Sequence, residues 1–257
     1  MPSQSEVNGP PEIVATFGGR RVLRNQVLGW EARRAKKVSS TLGLRAAAAE
    51  PSEQLAAITQ RKLELGHDRI EALLGAQLRL SAAGVGVLAR LSSGRRVVSS
   101  VGLAVNTGSA TGFVQWWNDH VVTGDEAALL AICPDHWLIR PALNGWQEVV
   151  ETTGGSPMAS RLFIDYQDTG ALRSPPDPRY PHQLTAVARL RDGTPIGGLR
   201  HQLRDTVAGF EMTLAAEFPV VMLPNLVAGH RWHLACEFSN MIERAVTSPR
   251  SEKPATP

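Results

Sequence analysis

The sequence predicts an α+β fold in which a curved antiparallel sheet of about six strands is covered by a long C-terminal helix and preceded by a helical N-terminal extension. Three observations predict it. Apolar and polar residues alternate from about residue 136 to 218, turn-forming pairs such as Asn144-Gly145 and Asp192-Gly193 divide that region, and helical spacing of apolar residues precedes and follows it. Because short connections join antiparallel neighbours, residues 136 to 218 should form a single meander.

The N-terminal part is basic and mainly helical. The first 100 residues carry 15 Lys and Arg against 8 Asp and Glu, and apolar side chains recur at helical spacing from 51 to 91. We predict disordered tails at 1–12 and 247–257, a basic, mainly helical region at 13–95 and an α+β ligand-cavity domain at 97–246. The basic stretch could follow phosphates, but only two aromatic residues accompany it, so nucleic acid is disfavoured.

One face of the predicted sheet is apolar. Phe210, Met212 and Leu214 alternate with polar residues, and Tyr166 is in phase with the apolar residues of its own strand. The helix predicted over 224–245 has an apolar stripe that can cover this face. We therefore predict a cavity between the helix and the sheet, with these four residues contacting a ligand.

The absence of several local motifs argues against several classes of enzyme. The chain contains no phosphate-binding glycine loop, no dinucleotide fingerprint, no nucleophile elbow and no zinc-protease motif, so no cofactor is predicted. It has two cysteines, no apolar run of about 20 residues and no secretory signal at its N-terminus. These features predict a cytoplasmic protein of bacterial-type soluble character without a membrane span.

A polar stripe on the last helix is the candidate site. At about 100° per residue, His230, His233 and Glu237 fall within a stripe about 80° wide that borders the apolar face. An imidazole beside a carboxylate can act in acid–base catalysis. His201 points to the same side from its strand, so we predict these four residues as catalytic. The same spacing fits a divalent metal or a solvated, salt-bridged face, and we predict no metal.

The order of elements from about 97 to 245 resembles the helix-grip fold of START-like proteins, which include polyketide cyclases and lipid-binding proteins. The resemblance rests on helices followed by antiparallel strands and one long terminal helix. It implies an apolar ligand cavity and assigns no residue a role. A cystatin-like cone of the SnoaL or NTF2 kind is the nearest alternative.

These features predict a small-molecule enzyme with an apolar cavity, such as a cofactor-independent cyclase, dehydratase or isomerase that uses His and Glu for acid–base chemistry. Its partner would be a small apolar ligand or substrate, and a homodimer is left open. The alternative is a non-catalytic protein that binds a ligand or docks on a macromolecule through its basic helical region.

Overall fold

The computed structural model describes residues 10–45 and 50–247. Most of both predicted tails lies outside these residues. The strands are β1 (Ile13–Phe17), β2 (Arg20–Leu23), β3 (Arg96–Val105), β4 (His136–Pro141), β5 (Gln147–Glu151), β6 (Ser160–Asp165), β7 (His182–Arg189), β8 (Pro195–Asp205) and β9 (Phe210–Pro219). The helices are α1 (Arg24–Thr41), α2 (Pro51–Ser92), α3 (Ala110–Trp117), α4 (Glu126–Leu130) and α5 (Pro224–Thr247).

The nine strands of the described residues form one antiparallel sheet with the order β2-β1-β3-β9-β8-β7-β6-β5-β4. Strands β4 to β9 lie in chain order, so the predicted meander and the α+β class are confirmed. The number of strands was wrong, because β1, β2 and β3 add to the sheet beyond β9, and the sheet is open rather than strongly curved. The hairpin of β1 and β2 lies in the region predicted to be mainly helical, and it turns at Gly18 and Gly19, both with positive φ.

Helix α5 covers one face of the sheet, which we call the inner face. Leu234, Phe238 and Ile242 of this helix are buried in one core with Met212 and Leu214 of β9. This pairing follows from the alternation along β9, since its even-numbered residues share the inner face. A large antiparallel sheet with a C-terminal helix is compatible with a helix-grip-like fold.

Helices α1 and α2 cover the other face near β4 to β6. Ile70 and Leu74 of α2 are buried there with Leu138 and Val150 of the sheet. The helix is interrupted at Gly66, which has a φ of 67°. The N-terminal helices therefore form a second, smaller core against the same sheet.

Helix α2 is long and apolar enough to cross a membrane by length and composition alone, with a window of mean hydropathy 1.5 that is 22% buried. Core helices of soluble proteins, which are mostly buried, pass the same test; most of the α2 window is exposed, although α2 packs on β4 and β6. The fold is compatible with a soluble protein, and a cytoplasmic location stays a prediction.

Part of the basic N-terminal stretch is used in ion pairs inside the fold. Arg24 pairs with Glu243 of α5 (Nε to Oε1, 2.7 Å). Arg34 binds the fully buried Asp135 through two nitrogens. These two arginines therefore tie α1 to the elements that surround the inner face and leave the stretch less cationic than its composition implies.

Candidate functional site

A cavity of about 140 Å³ lies between the inner face of the sheet and α5. Most of its wall is apolar, and the wall includes Trp117, Val121, Ile139, Val149, Leu162, Leu199 and Phe238. The cavity exists because α5 lies across the middle of the sheet while α3 and the segment after it close one side. Small apolar molecules are the ligands that such a space accepts.

Four titratable side chains meet at one end of this cavity, and we call them the His–Glu cluster: His136, Glu151, His233 and Glu237. His136 begins β4 and is paired in register with Glu151 at the end of β5. His233 and Glu237 lie one turn apart on α5. The sheet therefore supplies one imidazole and one carboxylate, and the covering helix supplies the other two.

The nitrogen and oxygen atoms of the His–Glu cluster alternate around a common point. Nε2 of His136 lies 3.8 Å from Oε2 of Glu151 and 3.6 Å from Oε1 of Glu237. Nε2 of His233 lies 3.7 Å from Oε2 of Glu151 and 3.8 Å from Oε2 of Glu237. All four separations exceed hydrogen-bond length.

The far side of each imidazole contacts the protein. Nδ1 of His136 lies 2.9 Å from the carbonyl oxygen of Leu129, which can only accept, so Nδ1 carries the proton and the Nε2 lone pair faces the cluster. Nδ1 of His233 lies 3.9 Å from Sγ of Cys133 and 4.0 Å from Oδ2 of Asp135. Among the described residues, Nε2 of His233 has no hydrogen-bond partner.

The segment that carries His136 is held by two basic side chains. Arg34 donates to both oxygens of Asp135, with Nε to Oδ2 at 2.8 Å and Nη2 to Oδ1 at 2.7 Å. Lys62, which is 2% exposed, donates through Nζ to the carbonyl oxygens of Pro134 and His136. These contacts fix the start of β4 and therefore the position of its imidazole.

Burial sets the charge states in the His–Glu cluster. It lowers the pKa of His233 to about 3, and burial beside His233 lowers the pKa of His136 to about 4. Burial, with a smaller effect of the neighbouring Glu151, raises the pKa of Glu237 to about 8. The two imidazoles are therefore neutral near neutral pH, and Glu237 can gain or lose a proton there.

The structure places the predicted residues His230 and His201 on the cavity wall as well. The ring of His230 stacks on that of His233, with centroids 5.2 Å apart, and its Nδ1 has no partner in the described part of the chain. Nδ1 of His201 accepts a hydrogen bond from the backbone N–H of Ala215 at 3.3 Å. Burial lowers the pKa of both imidazoles to about 3.

The predicted ligand-binding residues divide into two groups. Tyr166 lines the cavity, donates its hydroxyl to Oε1 of Gln147 at 2.9 Å, and has a pKa raised by burial. Phe210, Met212 and Leu214 share the inner face but are packed in the core, outside the cavity wall. Their positions follow from α3 and α5, which cover that part of β9.

His136 and Glu151 were missed by reasoning from the sequence. His136 begins one strand and Glu151 ends the next, 15 positions later, so no local spacing links them to each other or to α5. Only the pairing of β4 with β5 brings them together, and that pairing is shifted by an irregularity between His136 and Leu138. The available signal was a titratable residue at the end of each of two neighbouring strands.

A scan against protein-family models finds no family that matches this chain. A search of curated proteins finds no match either. The function of the protein is therefore inferred from its fold, its cavity and the side chains that line it.

Proposed function

We propose that the protein is a small-molecule enzyme that performs acid–base chemistry on a largely apolar substrate held between the sheet and α5. One observation carries this proposal: Glu237, which receives no hydrogen bond from the described residues, faces two neutral imidazoles and a second carboxylate at the end of an apolar cavity. Carboxylates with a raised pKa in such surroundings are candidate proton carriers.

The size of the cavity limits the substrate. An apolar cavity of about 150 Å³ accommodates a benzene ring, and the cavity here has about 140 Å³. A second, mostly apolar pocket of about 250 Å³ adjoins it between α2, the turn Thr153–Gly155 and the start of α5, and the two share Leu162 and Phe218 as wall residues. A molecule with one ring and an apolar extension fits this pair of spaces.

We assign proton transfer to Glu237 and orientation of the substrate to His201, His230 and Tyr166. A proton removed next to a carbonyl group leaves an enolate. Return of the proton to another carbon completes an isomerisation, its delivery to a β-hydroxyl that leaves as water completes a dehydration, and attack of the enolate carbon on a second carbonyl, whose oxygen takes the proton, completes a ring closure. These are the reactions suggested by the resemblance to polyketide cyclases.

Deuterium exchange tests this proposal without knowledge of the natural substrate. The full chain is incubated in D₂O with cyclohexanone, acetophenone and 2-tetralone, and the loss of the α-proton signals is followed by proton NMR. We expect wild type to accelerate exchange of at least one ketone, and Glu237→Gln to lower that rate by roughly 10²-fold or more. Glu126→Gln is the matched control, because Glu126 pairs with His67 at the surface (2.9 Å). This variant should catalyse exchange of the ketone protons at the wild-type rate.

Two results would contradict the proposal. One is that wild type accelerates exchange of none of the three ketones, and the other is that Glu237→Gln is as active as wild type. Circular dichroism and urea unfolding of each variant show whether a lower exchange rate results from loss of the folded structure.

A second candidate function is docking on a macromolecule, and the outer side of α2 favours it. Leu80, Val87 and Leu91 are 63%, 52% and 63% exposed there. If a second copy of the chain covers them, Leu80→Glu should convert a dimer to a monomer in analytical ultracentrifugation. A monomeric wild type would exclude this dimer.

A further inference from the structure

We infer that His136, His233 and Glu151 bind a divalent transition-metal ion, with Glu237 facing the position that the protein leaves open. The inference concerns the same cavity and differs from the sequence-based expectation of no metal. Its chemical role rests on the proposed function, whereas binding of the ion does not.

The distances in the cluster fit metal ligands better than hydrogen bonds. Nε2 of His136 and Nε2 of His233 lie 3.8 and 3.7 Å from Oε2 of Glu151. A tetrahedral Zn²⁺ with bonds of about 2.0–2.2 Å holds its ligand atoms about 3.3–3.6 Å apart. Each imidazole nitrogen is therefore within a few tenths of an ångström of the spacing that it and this carboxylate would have around a common ion.

Two of the three proposed ligands already have the outer hydrogen bond that metal ligands use. The carbonyl oxygen of Leu129 orients His136 from Nδ1 at 2.9 Å, whereas Oδ2 of Asp135 lies 4.0 Å from Nδ1 of His233. The hydroxyl of Thr153 donates to Oε1 of Glu151 at 2.9 Å, which leaves Oε2 directed at the imidazoles. Such partners fix the ring tautomer and strengthen the ligand.

The polar groups of the His–Glu cluster also lack a cationic partner in the part of the chain that the structure describes. His233 is 1% exposed, yet its Nε2 contacts no donor or acceptor in the described residues. Glu151 and Glu237 face the same point, and among the described residues no Lys or Arg pairs with either carboxyl group. Buried carboxylates normally have a positive partner, and a divalent ion at this point supplies it.

A thiol offers a different set of ligands, because Cys133, His136 and His233 have donor atoms that all lie within 4.8 Å of one another. Cys133 approaches His233 from the Nδ1 side, where Asp135 already lies. Glu151 and Glu237 lie on the Nε2 side, which lines the cavity. We therefore favour Glu151 over Cys133 as the third ligand.

The ion would complete the proposed chemistry. Its positive charge would bind the carbonyl oxygen of a substrate while Glu237 takes the proton from the adjacent carbon. The C–H bond breaks, the proton moves to Glu237, and the electron pair passes to the oxygen, whose negative charge the ion stabilises. The proton returns from Glu237 to the product.

Titration with metal tests the inference directly. The full chain is freed of metal with a chelator and titrated with Zn²⁺ by calorimetry, and with Co²⁺ by visible absorption, which reports tetrahedral coordination. We expect wild type to bind one ion, and Glu151→Gln and His136→Gln to bind at least about 100-fold more weakly, since loss of a mere outer partner already costs 10–100-fold. Cys133→Ser and His201→Asn should bind the ion as wild type does.

The inference fails if wild type binds no Zn²⁺, if Glu151→Gln binds as wild type does, or if Cys133→Ser loses the ion while Glu151→Gln keeps it. Two independent ligand variants, each checked by circular dichroism, separate lost binding from lost folding. Ketone exchange by metal-free protein at the full rate would overturn the chemical role given to the ion and leave the proposed function intact. Zn²⁺ binding without exchange of any ketone would overturn the proposed function and leave the metal site intact.

Discussion

Gly154 and Gly229 lie backbone against backbone, with no room for a side chain on either residue. A Cβ on Gly229 would overlap the carbonyl oxygen of Gly154, and a Cβ on Gly154 would lie 2.7 Å from the backbone nitrogen of His230. This contact seats α5 on the turn Thr153–Gly155, directly after Glu151. The distance between the carboxylate of β5 and the imidazoles of α5 is therefore set by two glycines.

Gly229→Ala should destabilise the protein by about 1–3 kcal/mol, because α5 must move away from the turn to admit the methyl group. Gly84→Ala in α2 is the matched control, since nothing lies within 4 Å of a Cβ there. The control should be neutral or stabilising by up to about 1 kcal/mol through helix propensity. Urea unfolding measures both, and equal effects would show that the contact is absent.

Leu214→Ala should lower the free energy of unfolding by about 2–5 kcal/mol, because Leu214 is fully buried beneath α5. Thr213→Ala on the opposite face should cost under about 1 kcal/mol, since it removes only a 3.3 Å hydrogen bond to the hydroxyl of Tyr180. Similar losses at the two positions would mean that the register of β9 is wrong.

Arg34→Met should destabilise the protein by about 3–5 kcal/mol, because it leaves the carboxylate of Asp135 buried without its cation. Arg179→Met removes a similar pair with Asp177 at the surface and should leave stability unchanged within error. Thermal and urea unfolding of the two variants provide the comparison. A harmless Arg34→Met would show that Asp135 is not held as a buried anion.

His201→Asn should make stability less sensitive to acid. Burial lowers the pKa of His201 to about 3 in the folded state against 6.5 for the free side chain, so the unfolded chain binds the extra proton as pH falls below about 6.5. Wild type should therefore lose about 1.4 kcal/mol more per pH unit than the variant between pH 6 and about 4. Parallel stability curves over that range would contradict this assignment.

The sequence predicted those parts of the fold that local signals determine. Turns such as Asn144-Gly145 and Asp192-Gly193 divide the meander. Strands β4 to β9 were therefore predictable from the alternation of apolar and polar residues and from the turn residues between the strands. Strand β1 was not, because Ile13 pairs with Val105, far along the chain, and no nearby residue specifies that pairing. The flatness of the sheet likewise depends on how nine strands pack together, which no single segment encodes.

The candidate site was half predictable for the same reason. His230, His233 and Glu237 lie on one helical stripe, and their spacing alone places them together on the covering helix. His136 and Glu151 join them only after β4 and β5 have paired and α5 has settled on Gly154. A cluster that depends on these two tertiary contacts shows no regular spacing in the sequence.

The most direct test of the account is a crystal structure of the full chain grown with Zn²⁺ and cyclohexanone, with an anomalous difference map recorded at the zinc edge. We predict a single strong peak bonded to His136, His233 and Glu151, and a ketone in the apolar cavity with its oxygen toward that peak and its α-carbon near Glu237. An empty cavity with no peak in the cluster, or a peak bonded to Cys133 instead of Glu151, would contradict it.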